Sequence, residues 1–495
     1  MKKVIIIGGG IAGLSAGIFA QKNGFDSIIL EKHHTVGGEC TGWDRNGYHV
    51  DGCIHWLVGT KEGTPMHKLW TKVGALDGVK VYHPETFLSF EHKEGTVHLY
   101  RDLERLRESW LALSPEDKAV IEEFYQGIKQ LHSFEMPTDK PMDMMTLKEK
   151  IKLFSSMKAA GTIMSKYGKI SLIQYANTFR HPALRDTLAT FVPEGYSASS
   201  IFFALASFTK GDASIPYGGS KAMAMRMAMR YQSLGGRIET LSEVTQLESN
   251  KKSVSGVICK NGKSFNADYV IAACDAKVLF ERLLKGKHPD PKFEKRFNDP
   301  INYPLASNIY IALGYEGELK DLQRSTRFAI NPIIINNTPI KHLLVNHYQY
   351  EKDFAPEGHT VITCAINQYH DDYDAWKALA SDPNAYRLEK DRIGREVIGA
   401  IEDHYPDMKG KIKLLDFATP ITYERYCNAY RGAFMSFLPT IKGKMMAHTG
   451  RIKGLDNLYL SGQWLQPPGG LPVAVMTGKD TIMRICKKEK KEFHS

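Results

Sequence analysis

The 495-residue sequence lacks the features that define several common protein classes. No stretch approaches the roughly eighteen uninterrupted apolar residues that a membrane-spanning helix needs. No recognised nucleic-acid-binding motif is present, so we predict no nucleic-acid partner. The absence of internal repeats and low-complexity tracts argues against solenoid and disordered proteins. The length then predicts two or three globular domains.

Cysteine is scarce, and its spacing gives no sign of a metal centre. The seven cysteines contain no Cys-x-x-Cys pair, and we predict no metal site. Their odd number and the lack of a secretory signal favour a reducing, cytoplasmic setting. Most are expected to be small core residues, although Cys40 and Cys53 lie near the glycine motif described below.

Acidic residues are outnumbered, which leaves a formal net charge of +10. Residues 147–169 carry six lysines and one glutamate, with Leu, Ile, Phe and Met interleaved. The pattern predicts a basic amphipathic helix that can lie on an anionic membrane. An ordinary surface helix with one buried stripe is the alternative. We therefore predict a cytoplasmic protein with the inner face of the membrane as a candidate partner.

The first thirty-one residues contain the strongest signal in the chain. An apolar run, Val4–Ile7, precedes the glycines of a Gly8-x-Gly10-x-x-Gly13 motif, and a second apolar run ends at Glu31. Gly8 permits a tight turn, Gly10 lets the backbone approach a pyrophosphate, and Gly13 lets helix and strand pack closely. The helix N-terminus would bind phosphate, and Glu31 is spaced to accept a hydrogen bond from a ribose. The unit predicts a dinucleotide site.

Two other interpretations of this segment are less consistent with its residues. A signal peptide is disfavoured because three consecutive glycines interrupt the apolar run and no cleavage site follows. Glycines that serve packing alone would not require the acid at Glu31. The motif occurs once, so we predict no second domain for a nicotinamide cofactor.

The pattern of helices and strands along the chain predicts an α/β fold with an insertion. A buried strand at 269–275 follows a helix and a strand meander, and a late strand ends at Gly462. These segments predict a Rossmann-like domain that is interrupted twice by a mixed-sheet plus helical substrate domain. The nucleotide-binding parts are predicted at 1–75, 211–289 and 441–495, and the substrate parts at 76–210 and 290–440.

Two further blocks connect the chain to a known family. The middle block contains Pro-x-Gly-Gly from Pro216, Gly-Gly-x-Ile from Gly235 and Ala-Asp-x-Val-Ile from Ala267. The last block contains Leu-Tyr-Leu-x-Gly from Leu458 and Pro-Gly-Gly-x-Pro from Pro468. Together with the first block, they resemble the flavin-dependent phytoene desaturase, carotenoid isomerase and retinol saturase family, within the amine-oxidase-like flavoproteins. The similarity covers the two ends and the middle of the chain.

The resemblance implies FAD as cofactor and an FAD-binding domain of the amine-oxidase type. It implies that the glycine motif holds the pyrophosphate, Glu31 the adenosine ribose and the Val244 backbone the adenine. It also places a helix N-terminus at the pyrimidine edge of the flavin, where negative charge develops. The implied cofactor-binding residues are Gly8, Gly10, Ile11, Ala12, Gly13, Glu31, Lys32, Gly37, Gly38, Val244, Gly462, Gln463, Gly470, Leu471 and Pro472.

One departure from the family affects the electrostatics of this site. Relatives usually carry an arginine after the double glycine, whereas this chain has Glu39 and Cys40 after Gly37 and Gly38. A carboxyl group therefore stands where a positive charge is expected beside the cofactor. The substrate regions resemble the family much less, so the substrate does not follow from the fold.

The resemblance implies an FAD-dependent oxidoreductase, a desaturase, saturase or isomerase that moves a hydride to or from flavin N5. Its substrate would be an apolar polyene, isoprenoid or lipid-like molecule, with a quinone, oxygen or a redox partner exchanging electrons. His55, Glu194 and Tyr196 are the candidate catalytic residues, and Trp56 is a candidate channel residue. Purely structural roles remain the alternative for each of them.

Two other functions are compatible with the same motifs. An amine or porphyrinogen oxidase could use the same cofactor, and amine turnover with hydrogen peroxide release would favour it. A non-enzymatic prenyl- or lipid-binding relative is the third hypothesis. The intact glycine triplet and Glu31 argue against it, because a protein without cofactor has no need of them.

Overall fold

The structure is a computed structural model that describes residues 1–192 and 195–495. The strands are β1 Lys3–Ile7, β2 Asp26–Leu30, β3 Gly42–Arg45, β4 Tyr48–Asp51, β5 Leu57–Val58, β6 Val81–Tyr82, β7 Thr86–His92, β8 Gly95–Tyr100, β9 Ala213–Pro216, β10 Arg237–Glu239, β11 Val244–Ser249, β12 Val254–Cys259, β13 Ser264–Asn266, β14 Tyr269–Ala272, β15 Ser307–Tyr315, β16 Ser325–Ile335, β17 Thr338–His347, β18 Thr360–Gln368, β19 Ile412–Ala418 and β20 Leu458–Leu460.

Helices of widely varying length connect and cover these strands. They are α1 Ile11–Lys22, α2 Pro65–Lys72, α3 Leu103–Leu113, α4 Lys118–Gln130, α5 Leu147–Ser156, α6 Lys158–Tyr167, α7 Leu172–Ala176, α8 Pro182–Ala189, α9 Ser199–Thr209, α10 Gly219–Ser233, α11 Pro291–Phe297, α12 His370–Leu379, α13 Pro383–His404, α14 Pro420–Cys427 and α15 Leu471–Lys488. Within residues 1–192 and 195–495, no helix is both long and apolar enough to cross a bilayer.

A five-stranded parallel sheet brings together three distant parts of the chain. Its strand order is β10-β2-β1-β14-β20, and Ile5 in β1 lies between Ile28 and Val270. Side chains of one face, such as Ile6, pack on α1, α10 and α15. Those of the other face, such as Ile7, pack on the meander β11–β13. Covering on both faces explains why these strands are apolar throughout rather than alternating.

A second sheet of seven strands forms the other large domain. Its order is β19-β15-β18-β17-β16-β7-β8, so the hairpin of residues 86–100 joins strands from residues 307–418. Neighbours run antiparallel, except that β16 pairs with β7 in parallel. Helices α12 and α13 cover one face through Trp376 and Ile393. The opposite face carries Tyr310 and turns toward the five-stranded sheet.

Helices α3, α4 and α6–α9 pack around an aromatic cluster beside this sheet. Trp110 stacks on Phe124 with ring centroids 5.2 Å apart, and Phe202 meets Phe124 edge-on at 5.1 Å. Such contacts add to the stabilisation that burial of these large side chains already provides. The cluster gives the helical layer a core of its own.

The helix predicted over residues 147–169 is two helices in the structure. They meet at Met157 and end at Tyr167. Helix α6 buries Ala160, Ile163 and Tyr167, which are spaced to lie on one helical face. Helix α5 buries no residue. The prediction of one continuous helix was wrong because only the second half has a core to pack on.

The close contact between α1 and α15 depends on Gly478. A Cβ at Gly478 would overlap the Ala12 carbonyl oxygen and stand 2.8 Å from the Ser15 Cβ. We expect Gly478→Ala to destabilise the fold by about 1–3 kcal/mol through overpacking. Thermal unfolding of the purified variant measures the effect.

Gly399 supplies a matched control for this substitution. It also lies inside a helix, but a Cβ there would meet nothing within 4 Å. Gly399→Ala should therefore leave stability unchanged or raise it by about 0.5–1 kcal/mol, from helix propensity alone. Equal effects of the two substitutions would show that the α1–α15 contact is not close-packed.

Candidate active site

One cavity of about 2130 Å³ lies between the five-stranded and the seven-stranded sheets. Its volume exceeds the roughly 300–1000 Å³ of most small-molecule sites, so it can hold a dinucleotide together with a second molecule. The carboxyl ends of the parallel strands open into it, which is the usual ligand position in such sheets. We call the part of the cavity that adjoins the glycine motif, Gly8 to Gly13, the nucleotide end.

The structure places nearly all of the implied cofactor-binding residues along this cavity. Those that line it are Gly8, Gly10, Ile11, Ala12, Glu31, Lys32, Gly37, Gly38, Val244, Gly462, Gln463, Gly470, Leu471 and Pro472. Gly13 lies behind the wall, where a Cβ would overlap the Gly8 carbonyl oxygen. Its part is therefore to let α1 pack against β1 and not to touch a ligand.

The turn between β1 and α1 is built for an anion. Gly8 has a φ of 104°, and a Cβ there would stand 2.6 Å from the Ala273 carbonyl oxygen. Gly10 caps α1 without a side-chain hydrogen bond, so its first-turn N–H groups remain available. A Cβ at Gly10 would approach Gly37 no closer than 3.8 Å and would occupy cavity space. The open cradle fits a diphosphate.

Glu31, which is implied to bind the adenosine ribose, also stabilises the glycine turn. Its Oε2 accepts a hydrogen bond from the Gly9 N–H at 2.7 Å, and its Oε1 accepts one from the His33 N–H at 2.7 Å. Burial raises the pKa of this carboxyl, and the two backbone bonds oppose that shift. Glu31 thus ties the glycine turn to β2 while its remaining lone pairs face the cavity.

Lys32 also lines the cavity, but its ammonium is already engaged. Nζ donates to the Arg425 carbonyl oxygen and to Asn428 Oδ1, each at 2.9 Å. These bonds hold the end of α14 and the following turn beside the nucleotide end.

The N-terminus of α15 forms the opposite wall of the cofactor region. Gly470, with a φ of 82°, precedes Leu471 and caps the helix without a side-chain hydrogen bond. Gln463 Oε1 accepts the Gly470 N–H at 3.2 Å, and Thr477 Oγ1 accepts the Gly462 N–H at 3.0 Å. The exposed first turn carries partial positive charge, which suits the pyrimidine edge of a flavin.

Two carboxyl groups near the nucleotide end were not among the predicted site residues. Burial, and then the charge of Asp275, raises the pKa of Glu39 to about 8. Burial raises the pKa of Asp275 to about 6 against the backbone N–H bonds that it accepts from Tyr430 and Lys277. Asp275 lies three residues beyond the end of the buried strand β14, and that position was the available signal in the sequence.

The candidate catalytic residues differ in their position, their hydrogen bonds and their pKa. His55 lines the cavity, its Nδ1 has no hydrogen-bond partner in the described chain, and burial lowers its pKa to about 4. It is therefore neutral near pH 7, which disfavours it as a proton donor. Tyr196 also lines the cavity, and burial raises its pKa. Glu194 lies outside the described residues.

Aromatic side chains line the end of the cavity away from the glycine motif, which we call the aromatic chamber. Phe87 is its centre, with ring centroids 4.8 Å from Trp56, 5.3 Å from Phe191 and 5.2 Å from Phe208. Arg324 lies in the same cavity wall. Nothing in the sequence pointed to Arg324, because no local pattern indicates that a residue before a strand faces a distant domain.

The replacement of arginine by Glu39 predicts a pH-dependent cofactor affinity. Below a pH of about 8 the carboxyl is protonated and neutral. Above it, the ionised group adds negative charge near the bound diphosphate and weakens FAD binding by roughly tenfold at most. Fluorimetric FAD titrations across this pH range measure the change. Glu39→Gln should remove the dependence, and a wild-type affinity that does not fall above that pH would contradict this role.

Comparisons with known proteins agree with this architecture. The chain is 23% identical over 520 residues to a 4,4'-diaponeurosporene oxygenase of Staphylococcus haemolyticus, which covers 98% of this chain and 97% of that protein. An oxidoreductase from Methanosarcina mazei superposes with a TM-score of 0.62 at 15% identity, covering 97% and 100% of the two chains. Putrescine oxidase bound to putrescine gives 0.59 at 14% identity, covering 98% and 99%.

The solved structures share the fold, and the fold prediction is confirmed. The model of the family described as flavin-containing amine oxidoreductase matches residues 11–486. The predicted cofactor, FAD, and the predicted activity, an FAD-dependent oxidoreductase, are thereby confirmed as well. The glycine cradle, Glu31 and the α15 N-terminus fit that cofactor. The chain belongs to the flavin-containing amine oxidoreductase family.

Proposed function

We propose that this FAD-dependent oxidoreductase acts on an apolar polyene, isoprenoid or lipid-like substrate. The observation that supports this proposal is the continuity of the cavity from the nucleotide end into the aromatic chamber. A predominantly apolar pocket with few polar groups binds an apolar molecule and fixes its orientation. The similarity to a 4,4'-diaponeurosporene oxygenase supports a carotenoid-like substrate.

The chain would contribute binding, orientation and electrostatics to the reaction. When bound, FAD supplies hydride transfer at its N5 atom. The first turn of α1 would hold the diphosphate, and the first turn of α15 would stabilise negative charge at the pyrimidine edge. Trp56 and Phe87 would exclude water and orient the chain of the substrate. A neutral His55 can take part in hydrogen bonds without carrying charge into this space.

The proposal covers three reactions, namely desaturation, saturation and isomerisation, and three kinds of electron partner. Desaturation, saturation and isomerisation all use the same cofactor geometry. A quinone, oxygen or a redox protein would exchange electrons with the cofactor, because the chain has a single Gly-x-Gly-x-x-Gly motif.

An amine oxidase is the second candidate, supported by the fold similarity to putrescine oxidase. Its cationic substrate would need a carboxylate or an aromatic cage near the flavin. The carboxyls of Glu39 and Asp275 belong to the nucleotide end. Further carboxyls line the cavity at Asp44, Asp212, Glu243 and Asp416, and the guanidinium groups of Arg324 and Arg327 stand in the same wall. Their positive charge opposes an ammonium group. A porphyrinogen oxidase and a lipid-binding protein without cofactor are the remaining alternatives.

The substrate class can be tested by mass spectrometry of lipids that co-purify with the protein. We expect a yellow protein with bound FAD and an enriched apolar polyene or isoprenoid. Hydrogen peroxide release on addition of amines would instead favour the amine oxidase. A colourless preparation that takes up no FAD would contradict the enzymatic proposal.

Glu31 provides a test of the cofactor cradle. Glu31→Ala removes two charge-assisted hydrogen bonds and the ribose acceptor, so we expect FAD affinity to fall by about tenfold or more. Glu239 is the matched control, because its carboxylate contacts Lys263 on the surface at the edge of the same sheet. Glu239→Ala should leave FAD affinity unchanged. Equal losses in the two variants would argue against a specific role of Glu31.

We also propose that helix α5 contacts an anionic membrane. Leu147, Ile151 and Phe154 lie on one face of α5 and are 76%, 62% and 62% exposed. Lys148, Lys150 and Lys152 alternate with this stripe, and none forms an ion pair within the described chain. An exposed apolar stripe rimmed by free lysines suits the interface between headgroups and acyl chains.

The position of this helix relative to the cavity supports the same proposal. Phe154 of α5, Met157 at the junction of the two helices and Met164 of α6 all line the cavity, and Phe154 and Met164 are also exposed to solvent. An apolar substrate that dissolves in the bilayer would then enter the aromatic chamber without crossing water.

Vesicle sedimentation measures this contact. Changing Lys148, Lys150 and Lys152 together to Gln should weaken binding to vesicles of phosphatidylglycerol by about 3 kcal/mol, since each basic residue near such a surface contributes about 1 kcal/mol. The matched control changes Lys251, Lys252 and Lys260, which lie on the β11–β12 side. Binding that neither salt nor the first set of changes alters would mean that α5 is an ordinary surface helix.

A further inference from the structure

We propose that Arg324 and His55 form a subsite for a carboxylate at one end of the otherwise apolar substrate. The inference rests on the proposed function, because it adds an anionic end group to a molecule whose chain would occupy the aromatic chamber. It concerns this chain's own side chains and requires no particular direction of the redox reaction.

Arg324 is a buried guanidinium that has no hydrogen-bonding or ionic partner among residues 1–192 and 195–495. The residue is 6% exposed, and its Nε and Nη2 have no hydrogen-bond acceptor in the described part of the protein. No carboxylate of residues 1–192 or 195–495 forms an ion pair with it. Arg324 precedes β16, and its carbonyl oxygen accepts the His347 N–H at 3.0 Å, so the backbone is fixed beside the cavity.

The histidine and tyrosine side chains near Arg324 are uncharged and cannot neutralise it. The charge of Arg324 lowers the pKa of His55, Tyr82, Tyr348 and Tyr350. Burial has the larger effect on each pKa, and it favours the neutral form of all four side chains. The His55 Nδ1 is also without a partner in the described chain. A charge and an imidazole nitrogen therefore remain unsatisfied in the same region.

Asp51 is the nearby carboxylate that might be expected to pair with Arg324. Its Oδ1 accepts from the backbone N–H of Cys53 at 3.0 Å and from Ser220 Oγ at 2.6 Å. Its Oδ2 accepts the Ser220 N–H at 2.6 Å. The carboxylate thus serves the start of α10 and the turn after β4, and it leaves Arg324 unpaired.

A ligand can satisfy this charge, for which the described residues supply no counter-ion. Buried ions in proteins are paired or coordinated, because leaving water without compensation is expensive. The guanidinium presents a planar fork of donors that matches a carboxylate in two parallel hydrogen bonds. A neutral imidazole beside it can donate or accept one further hydrogen bond.

Arg327 shows what an arginine with a structural task looks like in the same wall. It lies three residues along the chain and also lines the cavity. Its guanidinium donates to the carbonyl oxygen of Thr190 and to Thr190 Oγ1, the latter at 2.8 Å. The contrast assigns Arg327 to the fold and leaves Arg324 for the substrate.

The test compares two ligands that differ only in their end group. Oleate and oleyl alcohol share one apolar chain, and isothermal titration of the FAD-loaded protein at neutral pH gives the ratio of their dissociation constants. We expect oleate to bind the wild type at least tenfold more tightly. Arg324→Met should abolish this preference, and Arg324→Lys should retain part of it, because it keeps the charge and loses the fork.

Arg327→Met is the matched control, since its guanidinium already has protein partners, and it should leave the ratio unchanged. The ratio is measured within each variant, so a general loss of stability affects both ligands alike. Equal affinity of the wild type for the two ligands, or an unchanged preference in both Arg324 variants, would overturn the subsite while leaving the apolar chamber intact. If neither ligand binds the wild type, the proposed substrate class is wrong as well.

Discussion

The close approach of α1 to β1 and α15 is the constraint on which the rest of the structure depends. It is possible because Gly13 and Gly478 carry no side chain at the two places where backbones meet. The contact fixes the direction in which the first turn of α1 points. It also sets α15 beside the carboxyl ends of the parallel strands, so that two helix N-termini face the same cavity.

Charge is distributed unevenly along that cavity. The nucleotide end combines two helix N-termini with the carboxyls of Glu31, Glu39 and Asp275, of which burial raises the pKa in each case. Protonated or hydrogen-bonded carboxyls can lie beside a diphosphate that ionised ones would repel. Farther along, the wall carries Arg324 within aromatic surroundings. Under the proposed function, this polarity would give an elongated ligand one orientation rather than two.

Local sequence patterns specify the cofactor half well and the substrate half poorly. The glycine turn, Glu31 and the glycines before α15 each follow from a short motif, because a backbone that must approach a phosphate excludes side chains at fixed spacings. The split at Met157 is different. Leu147 and Ile163 look equivalent in the amphipathic pattern, yet only Ile163 has α4 and α9 to pack on. No local pattern carries that information.

The sequence by itself determined the fold class, the cofactor and the glycine positions of the cradle, because each is marked by a short motif in which the spacing of residue types is fixed by the backbone geometry. The tertiary structure decided which side chains line the part of the cavity beyond the cofactor region. Arg324, His55 and Phe87 come from three separate segments, and they share one wall only through the packing of the seven-stranded sheet against the nucleotide-binding domain. Burial and pairing of a charge are properties of the assembled chain, and therefore no motif could show that the Arg324 guanidinium lacks a partner in the described structure.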